Sequence, residues 1–333
     1  MKKILINCML WIPAIGCYAQ QAPQFTQFMQ MGNVLNPAMT GINRYIDFKM
    51  GYRRQWVGIP GSPTTFFTSV SGQFGHQEPT ITLPVRGRLA SQFVTEKPEE
   101  KPMPKHAIGG FISTDQVTPT SLNMGNFSYA YHIPIKEKWS LAFGAGISLA
   151  QSVINRDKLD EGIRKDPKIG TGLSSKLNPD ANAGVFLSSG NFFAGYSANH
   201  LFQNDIYSVS DDNTLVGKQR VHHFAHLGGR FNLNESWYLA PAVLTKMVRG
   251  ADVSFDVNCR IGYKDLLWFG PGYRNQDSFS ALAGFHLSNF LSLSYAYDYA
   301  HTGAGSTGNG SHEVMLGLRL VESGTKILRP SMW

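Results

Sequence analysis

The strongest constraint on this chain is a hydropathy pattern of period two. From Val253 to Ile261, the residues Val253, Phe255, Val257, Cys259 and Ile261 alternate with Ser254, Asp256, Asn258 and Arg260. Successive side chains of a strand point to opposite faces, so this spacing predicts a strand with one apolar and one polar face. The design recurs. Trp139, Leu141, Phe143, Ala145, Ile147 and Leu149 alternate with Ser140, Ala142, Gly144, Gly146 and Ser148. Leu291, Leu293, Tyr295 and Tyr297 alternate with Ser292, Ser294, Ala296 and Asp298, and Val314, Leu316, Leu318 and Leu320 with Met315, Gly317 and Arg319. After residue 19 no apolar run approaches the roughly 20 residues that a spanning helix needs.

Alternation alone also fits a soluble β-sandwich with one wet face. Three features favour an all-β transmembrane antiparallel barrel. The second face carries small or charged residues, aromatics gather at strand ends, and short connections alternate with long ones. Composition agrees: 16% of the 333 residues are charged, and Gly (34), Phe (21) and Tyr (13) are plentiful. Fourteen strands are predicted, near 44–56, 65–75, 106–114, 122–132, 139–150, 181–188, 191–199, 221–232, 237–246, 251–262, 264–272, 277–286, 289–299 and 311–320. An even number suits a bacterial single-chain barrel. With the N-terminus in the periplasm, the long connections 151–180 and 200–220 and the Gly-rich 302–310 face outward. Tight turns such as Ser189–Gly190 face the periplasm, as does the Pro-rich excursion 75–105.

The N-terminus reads as an export signal over residues 1–19. Lys2 and Lys3 precede an apolar stretch, and Cys17-Tyr18-Ala19 before Gln20 fits the small-x-small rule for cleavage. Ala14-Ile15-Gly16 before Cys17 offers a second reading, as a lipoprotein signal. Of the three cysteines only Cys259 lies beyond the signal, so an intramolecular disulfide is excluded from the exported chain. Residues 20–43 then form a periplasmic, plug-like segment, 44–320 the barrel, and 321–333 a periplasmic tail. Within the plug segment Phe25, Phe28 and Met29 have helical spacing. The segment reads as irregular; a short helix occluding the periplasmic mouth, ended by Asn36-Pro37, is the alternative.

Strand parity assigns the first strand's charges. Ile46, Phe48, Met50, Tyr52, Arg54 and Trp56 share one face; Asp47, Lys49, Gly51, Arg53 and Gln55 share the other. Arg53 points into the lumen. Arg54 nominally faces lipid, where an arginine costs about 2–4 kcal/mol at the midplane but about 0–1 near the interface. Between Tyr52 and Trp56 it belongs in the aromatic girdle, snorkelling to headgroups. The arginine pair needs no nucleic acid. Residues 57–63 follow as the first outer loop.

Chemical motifs are weak. Gly303-Ala304-Gly305-Ser306-Thr307-Gly308 matches G-x-G-x-x-G, but a strand rather than a helix follows, so it reads as a flexible surface loop and no cofactor is expected. His222, His223 and His226 cluster locally, with His222 and His226 on one face. A metal site needs more ligands than these supply, and none is expected. Ser254, His226 and Asp256 assemble a hydrolase only on paper, without a nucleophile elbow, so no catalytic residue is assigned. Asp252, Asp256, Arg260, Asp298, Glu313 and Arg319 read instead as a lumen charge network.

Several segments resemble a known family. QFTQFMQMGNVLNPAMTGINRY and YRRQWVGIPGSPTTFFTSVSG are similar to the opening of the PorP/SprF-type outer-membrane proteins of the type IX secretion system. Asn36, Pro37, Ala38 and Gly41 match its NPA-x-x-G turn; Tyr52, Arg53, Arg54, Gln55, Trp56, Val57 and Gly58 match its second signature. The resemblance implies an outer-membrane protein, embedded in outer-membrane lipids after export, that is not an enzyme. It supports secretion or surface anchoring of exported proteins carrying a type IX C-terminal signal domain, such as gliding adhesins. Periplasmic ring or lipoprotein components of the machine are its implied partners. The excursion 75–105 and the tail 321–333 depart from the family pattern and suggest a subtype-specific contact. Loop 151–180, with six basic and five acidic residues, is the expected holder of an exported partner. A stand-alone porin is the rival reading.

Overall fold

Period-two alternation becomes a closed ring of strands in the computed structural model, which describes residues 24–43, 45–74, 104–136, 139–159, 172–208, 215–288 and 290–320. The strands are β1 (Ile46–Arg54), β2 (Thr64–Phe74), β3 (Lys105–Val117), β4 (Thr120–Lys136), β5 (Trp139–Asn155), β6 (Leu173–Ser188) and β7 (Phe192–Asn199). A small hairpin, β8 (Asp205–Ser208) with β9 (Leu215–Lys218), forms its own two-stranded sheet, tied to β6 by Asn178 Nδ2 donating to Asp205 O. Then come β10 (His222–Gly229), β11 (Phe231–Asn232), β12 (Trp237–Val248), β13 (Ser254–Tyr263), β14 (Leu267–Arg274), β15 (Ser278–His286), β16 (Leu291–Ala300) and β17 (Ser311–Leu320). Each strand pairs antiparallel with its neighbour in order, β7 pairs β10, β10 pairs β12, and β17 pairs β1, which closes the barrel. Excluding the hairpin and the two-residue β11, fourteen strands make the ring. Closure removes every free edge, which is how a sheet can sit in lipid with its backbone polar groups satisfied.

Burial alternates as the sequence does. Ile112, Phe143, Ile147 and Leu227 are 63%, 50%, 68% and 60% exposed on the outer face. A β-sandwich would bury such residues; a barrel turns them to lipid. Tyr129, Tyr196 and Tyr295, also outward, each hydrogen-bond a histidine, His106, His223 and His312, at 2.6 Å. That gives each polar tip a partner on the outer face. Among the described residues no helix is long and apolar enough to cross a membrane.

Some boundaries differ from expectation. Most described residues of the connection 151–180 are strand: β5 runs to Asn155 and β6 begins at Leu173, with Gln151 opposite Leu177. These extensions have no continuous apolar face, so hydropathy gives no signal there, and Pro179 argues locally against a strand. The connection 200–220 holds the β8–β9 hairpin. The predicted strand 221–232 breaks at Arg230, between β10 and β11. The export signal 1–19, the excursion 75–103 and the tail 321–333 lie outside the described residues.

The apolar core sits inside the ring. Phe28, Met29, Ala38 and Met39 cluster with wall residues Ala142, Phe186, Phe193, Phe224 and Leu244; Phe25 and Met31 cluster with Phe67 and Met315. The lumen's apolar filling is therefore supplied by the segment that precedes β1.

Candidate functional site: a plugged lumen

Residues 24–43 run through the barrel from near the end carrying the long connections, the loop end, to the opposite turn end. Two single turns of 3-10 helix, Phe28–Gln30 and Pro37–Met39, flank one α-helical turn, Gly32–Leu35. The segment is irregular as a whole, and the alternative of one helix through Phe25, Phe28 and Met29 does not form. Those side chains divide between two apolar clusters, because the segment packs against the wall on all sides rather than through one stripe. Nor does the segment stop at the turn-end mouth.

The NPA-x-x-G residues anchor its lower half. Asn36 Oδ1 accepts from Ala38 N–H at 2.9 Å, capping the turn that Pro37 opens. Its Nδ2 donates to the carbonyls of Val185 and Tyr196 at 3.1 and 3.3 Å, joining plug to wall. Two small inward residues, Gly144 and Gly184, are clearances for this contact. A Cβ at Gly144 would lie 2.2 Å from Ala38 N, and one at Gly184 would lie 2.1 Å from Asn36 Oδ1. Gly41 has φ +61°, and its carbonyl accepts from Gln73 Nε2 at 2.8 Å as the chain turns toward β1. Thr40 closes the turn end: its hydroxyl meets Ser128 Oγ at 2.8 Å and its carbonyl meets His132 Nε2 at 2.8 Å.

A charge lock holds the loop end. Arg53, 2% exposed, pairs with Asp298 at 2.7 Å and Glu313 at 3.0 Å. Thr26 sits in the middle. Its N–H donates to Glu313 at 2.8 Å, and its hydroxyl accepts from Arg53 Nη1 at 2.7 Å and donates to Asp298 at 2.6 Å. Its carbonyl accepts from Asn258 Nδ2 at 2.8 Å. Beside it Asp256 takes Lys246 at 2.7 Å and Arg274 at 3.0 Å, and Arg274 also reaches Asp277 at 3.1 Å. These ions lose water but gain opposite charges, and although Arg53 Nε has no partner among the described residues, its Nη atoms are engaged, the condition under which buried ions are tolerated.

The six residues read as a lumen charge network therefore separate. Asp256, Asp298 and Glu313 belong to the lock. Arg260 and Arg319 line a cavity at the turn end. Asp252 is exposed in the turn before β13, outside the network, because the strand begins two residues later. Lys246 and Arg274 were missed, although strand parity places both inward. In the second signature, Tyr52 and Arg54 face outward and Arg53 inward. Gln55 and Trp56 are not strand: β1 ends at Arg54, and Trp56 has φ 47°. Trp56 leaves the lipid face and packs on the glycine-rich turn, where a Cβ at Gly305 would lie 2.4 Å from its Nε1. Val57 N–H donates to Gly310 O at 2.8 Å, and Asn309 N–H to Val57 O at 2.7 Å. Gly58 follows with φ +96°. The stretch read as a flexible loop is thus an ordered 3-10 turn, Ala304–Thr307, docked on the first connection.

His222 and His226 face inward and His223 outward. His226 lies against Phe186 and Phe193 with neither ring nitrogen hydrogen-bonded, and Asp256 is engaged by Lys246 and Arg274. Ser254, His226 and Asp256 make no relay.

The fold and its filling define an outer-membrane β-barrel closed by its own N-terminal segment. Residues 17–318 match the family described as type IX secretion system membrane protein PorP/SprF, and the chain belongs to that family. It is an outer-membrane component of the type IX secretion system. No curated protein matches it in sequence. Similar solved structures include the toluene transporter TbuX of Ralstonia pickettii, at 7% identity and TM-score 0.47, covering 88% of this chain and 93% of that one. The toluene transporter TodX of P. putida is similar at 10% identity and TM-score 0.44, covering 86% and 91%. A FadL homologue of Pseudomonas aeruginosa is similar at 10% identity and TM-score 0.41, covering 85% and 91%.

Proposed function

We propose that the chain acts without enzymatic activity, as a platform that supports secretion or surface anchoring of exported proteins carrying a type IX C-terminal signal, gliding adhesins among them. The observation that carries this reading is the filled lumen. A barrel whose interior is occupied by residues 24–43 and locked by Arg53, Asp298 and Glu313 works through its two ends rather than its bore. In this reading the loop end, with the β8–β9 hairpin and the 3-10 turn on Trp56, faces outward and holds the exported protein. The turn end contacts periplasmic ring or lipoprotein components of the machine.

Purification from native outer membranes in mild detergent, with mass spectrometry of co-eluting proteins, tests this. A large protein with a type IX C-terminal domain, or a ring component, is expected to co-elute. A lone barrel that also conducts ions in a planar bilayer would replace the platform with the porin reading.

A further inference from the structure

At the turn end, between the plug and the wall of β13 to β17, lies a cavity of about 30 Å³. It is larger than the roughly 10–15 Å³ needed for one water. Arg260 lines it at 3% exposure, its guanidinium stacked 4.1 Å above the Trp268 ring. Its Nε and Nη2 are buried and have no hydrogen-bond partner. Arg319 lines the same cavity; among the described residues its Nη2 reaches the His286 ring, at 3.3 Å. The remaining charges there are Lys49 and Asp47, which pair with each other at 3.0 Å. Among the described residues no carboxylate pairs with either arginine. Stacking on an aromatic face stabilises a cation but satisfies none of its N–H donors. Arg260, Arg319 and Lys49 thus share one carboxylate, Asp47, which lies opposite Arg319 in the ladder but pairs with Lys49, so the cavity carries more positive than negative charge.

We propose that this cavity is a binding site for an oxyanion, a carboxylate or phosphate group presented from the turn end, with Arg260 as principal donor and Arg319 as second cation. The planar guanidinium fork matches both groups, which offer two oxygens to parallel N–H donors. Trp268 fixes the plane of Arg260 before the anion arrives. This rests on the cavity alone and not on the platform reading.

The test uses the full chain in detergent. Inorganic phosphate and acetate are titrated at constant ionic strength, with thermal unfolding and tryptophan fluorescence as readouts, after native mass spectrometry has checked for a co-purified anion. A saturable response, or a co-purified adduct, is expected in the parent chain. It should weaken roughly tenfold or more in Arg260→Met, as loss of a charge-assisted hydrogen bond implies. Arg260→Lys, which keeps charge without the fork, should recover only part of the binding. Arg54→Met, on the outer face, should bind as the parent does. Response to phosphate alone identifies a phosphoryl source, and response to acetate as well identifies a peptide carboxylate; either supports the site. No response and no adduct, or an equal response in Arg260→Met, overturns it.

Discussion

The two ends of the lumen carry inward arginines under opposite conditions. At the loop end Arg53 and Arg274 meet Asp298, Glu313, Asp256 and Asp277, and the plug's Thr26 completes the network. At the turn end Arg260 and Arg319 meet aromatic rings and a histidine, and among the described residues neither forms an ion pair, the nearby Asp47 being taken by Lys49. One parity rule turned all of them inward. The difference is whether a partner was built into the chain. The loop end is a closed ionic structure that fastens the plug, whereas the turn end is an open one that waits for charge from elsewhere. Buried charge alone therefore does not tell stability from binding; whether a carboxylate pairs with it does.

The largest expected effect breaks the closed side. Arg53→Met leaves Asp298 and Glu313 buried without their shared cation, and removing one member of a buried pair costs about 3–5 kcal/mol. Denaturant unfolding in detergent micelles should show a loss of this order; a shift under about 1 kcal/mol would mean that water already reaches the lock. Adding Glu313→Gln to the variant should restore part of the loss, since one uncompensated charge is then removed. Next comes the fit of the plug to the wall. Gly144→Val places side-chain carbon where Ala38 N now lies, 2.2 Å from the built Cβ. Overpacking of this kind costs about 1–3 kcal/mol, and here the plug is the part able to yield. Conductance of the variant in a planar bilayer should exceed that of the parent. A barrel that stays sealed would show that the loop-end lock alone holds the segment in place.

A smaller loss is expected from Asn36→Ala, which removes the cap on Ala38 N–H and two bonds to the wall. Cap replacements cost about 0.5–2 kcal/mol. The measurement is proteolysis of residues 24–43 in the folded barrel. Cleavage should rise in Asn36→Ala but less than in Gly144→Val, since the apolar cluster around Phe28 and Met39 remains.

Much of this architecture is legible locally, and the site is not. Val253–Ile261 declares a two-faced strand within nine residues, and Arg53 is assignable to the lumen from its neighbours alone. Lys246 and Arg274 could have been found the same way, because parity aligns them with inward Leu244 and Gly272. What no local signal carries is the occupant. Thr26 meets Glu313 across 287 residues of chain, and Asn36 meets Tyr196 across 160. The small lumen residues Gly144 and Gly184 suit water or a packed segment equally well in sequence. Only the path of residues 24–43 decides between them. Trp56 departs from its expected place for a related reason: its partner, the turn Ala304–Thr307, lies at the far end of the chain and draws it off the lipid face.

The smallest expected effect has the opposite sign and sharpens the comparison most. In anion-free buffer Arg260→Met removes a buried cation that no carboxylate neutralises, and methionine can fill similar volume against Trp268. Replacing such a charge by an apolar residue is often neutral or stabilising. Giving up the cation–π stacking costs about 0.5–2 kcal/mol, so the net change should be near zero or slightly favourable. Unfolding of the parent and variant should coincide without anion and separate as phosphate is added, with only the parent gaining. A loss of several kcal/mol without anion, comparable to Arg53→Met, would mean that Arg260 is already fully compensated. The two ends of the lumen would then be the same kind of lock.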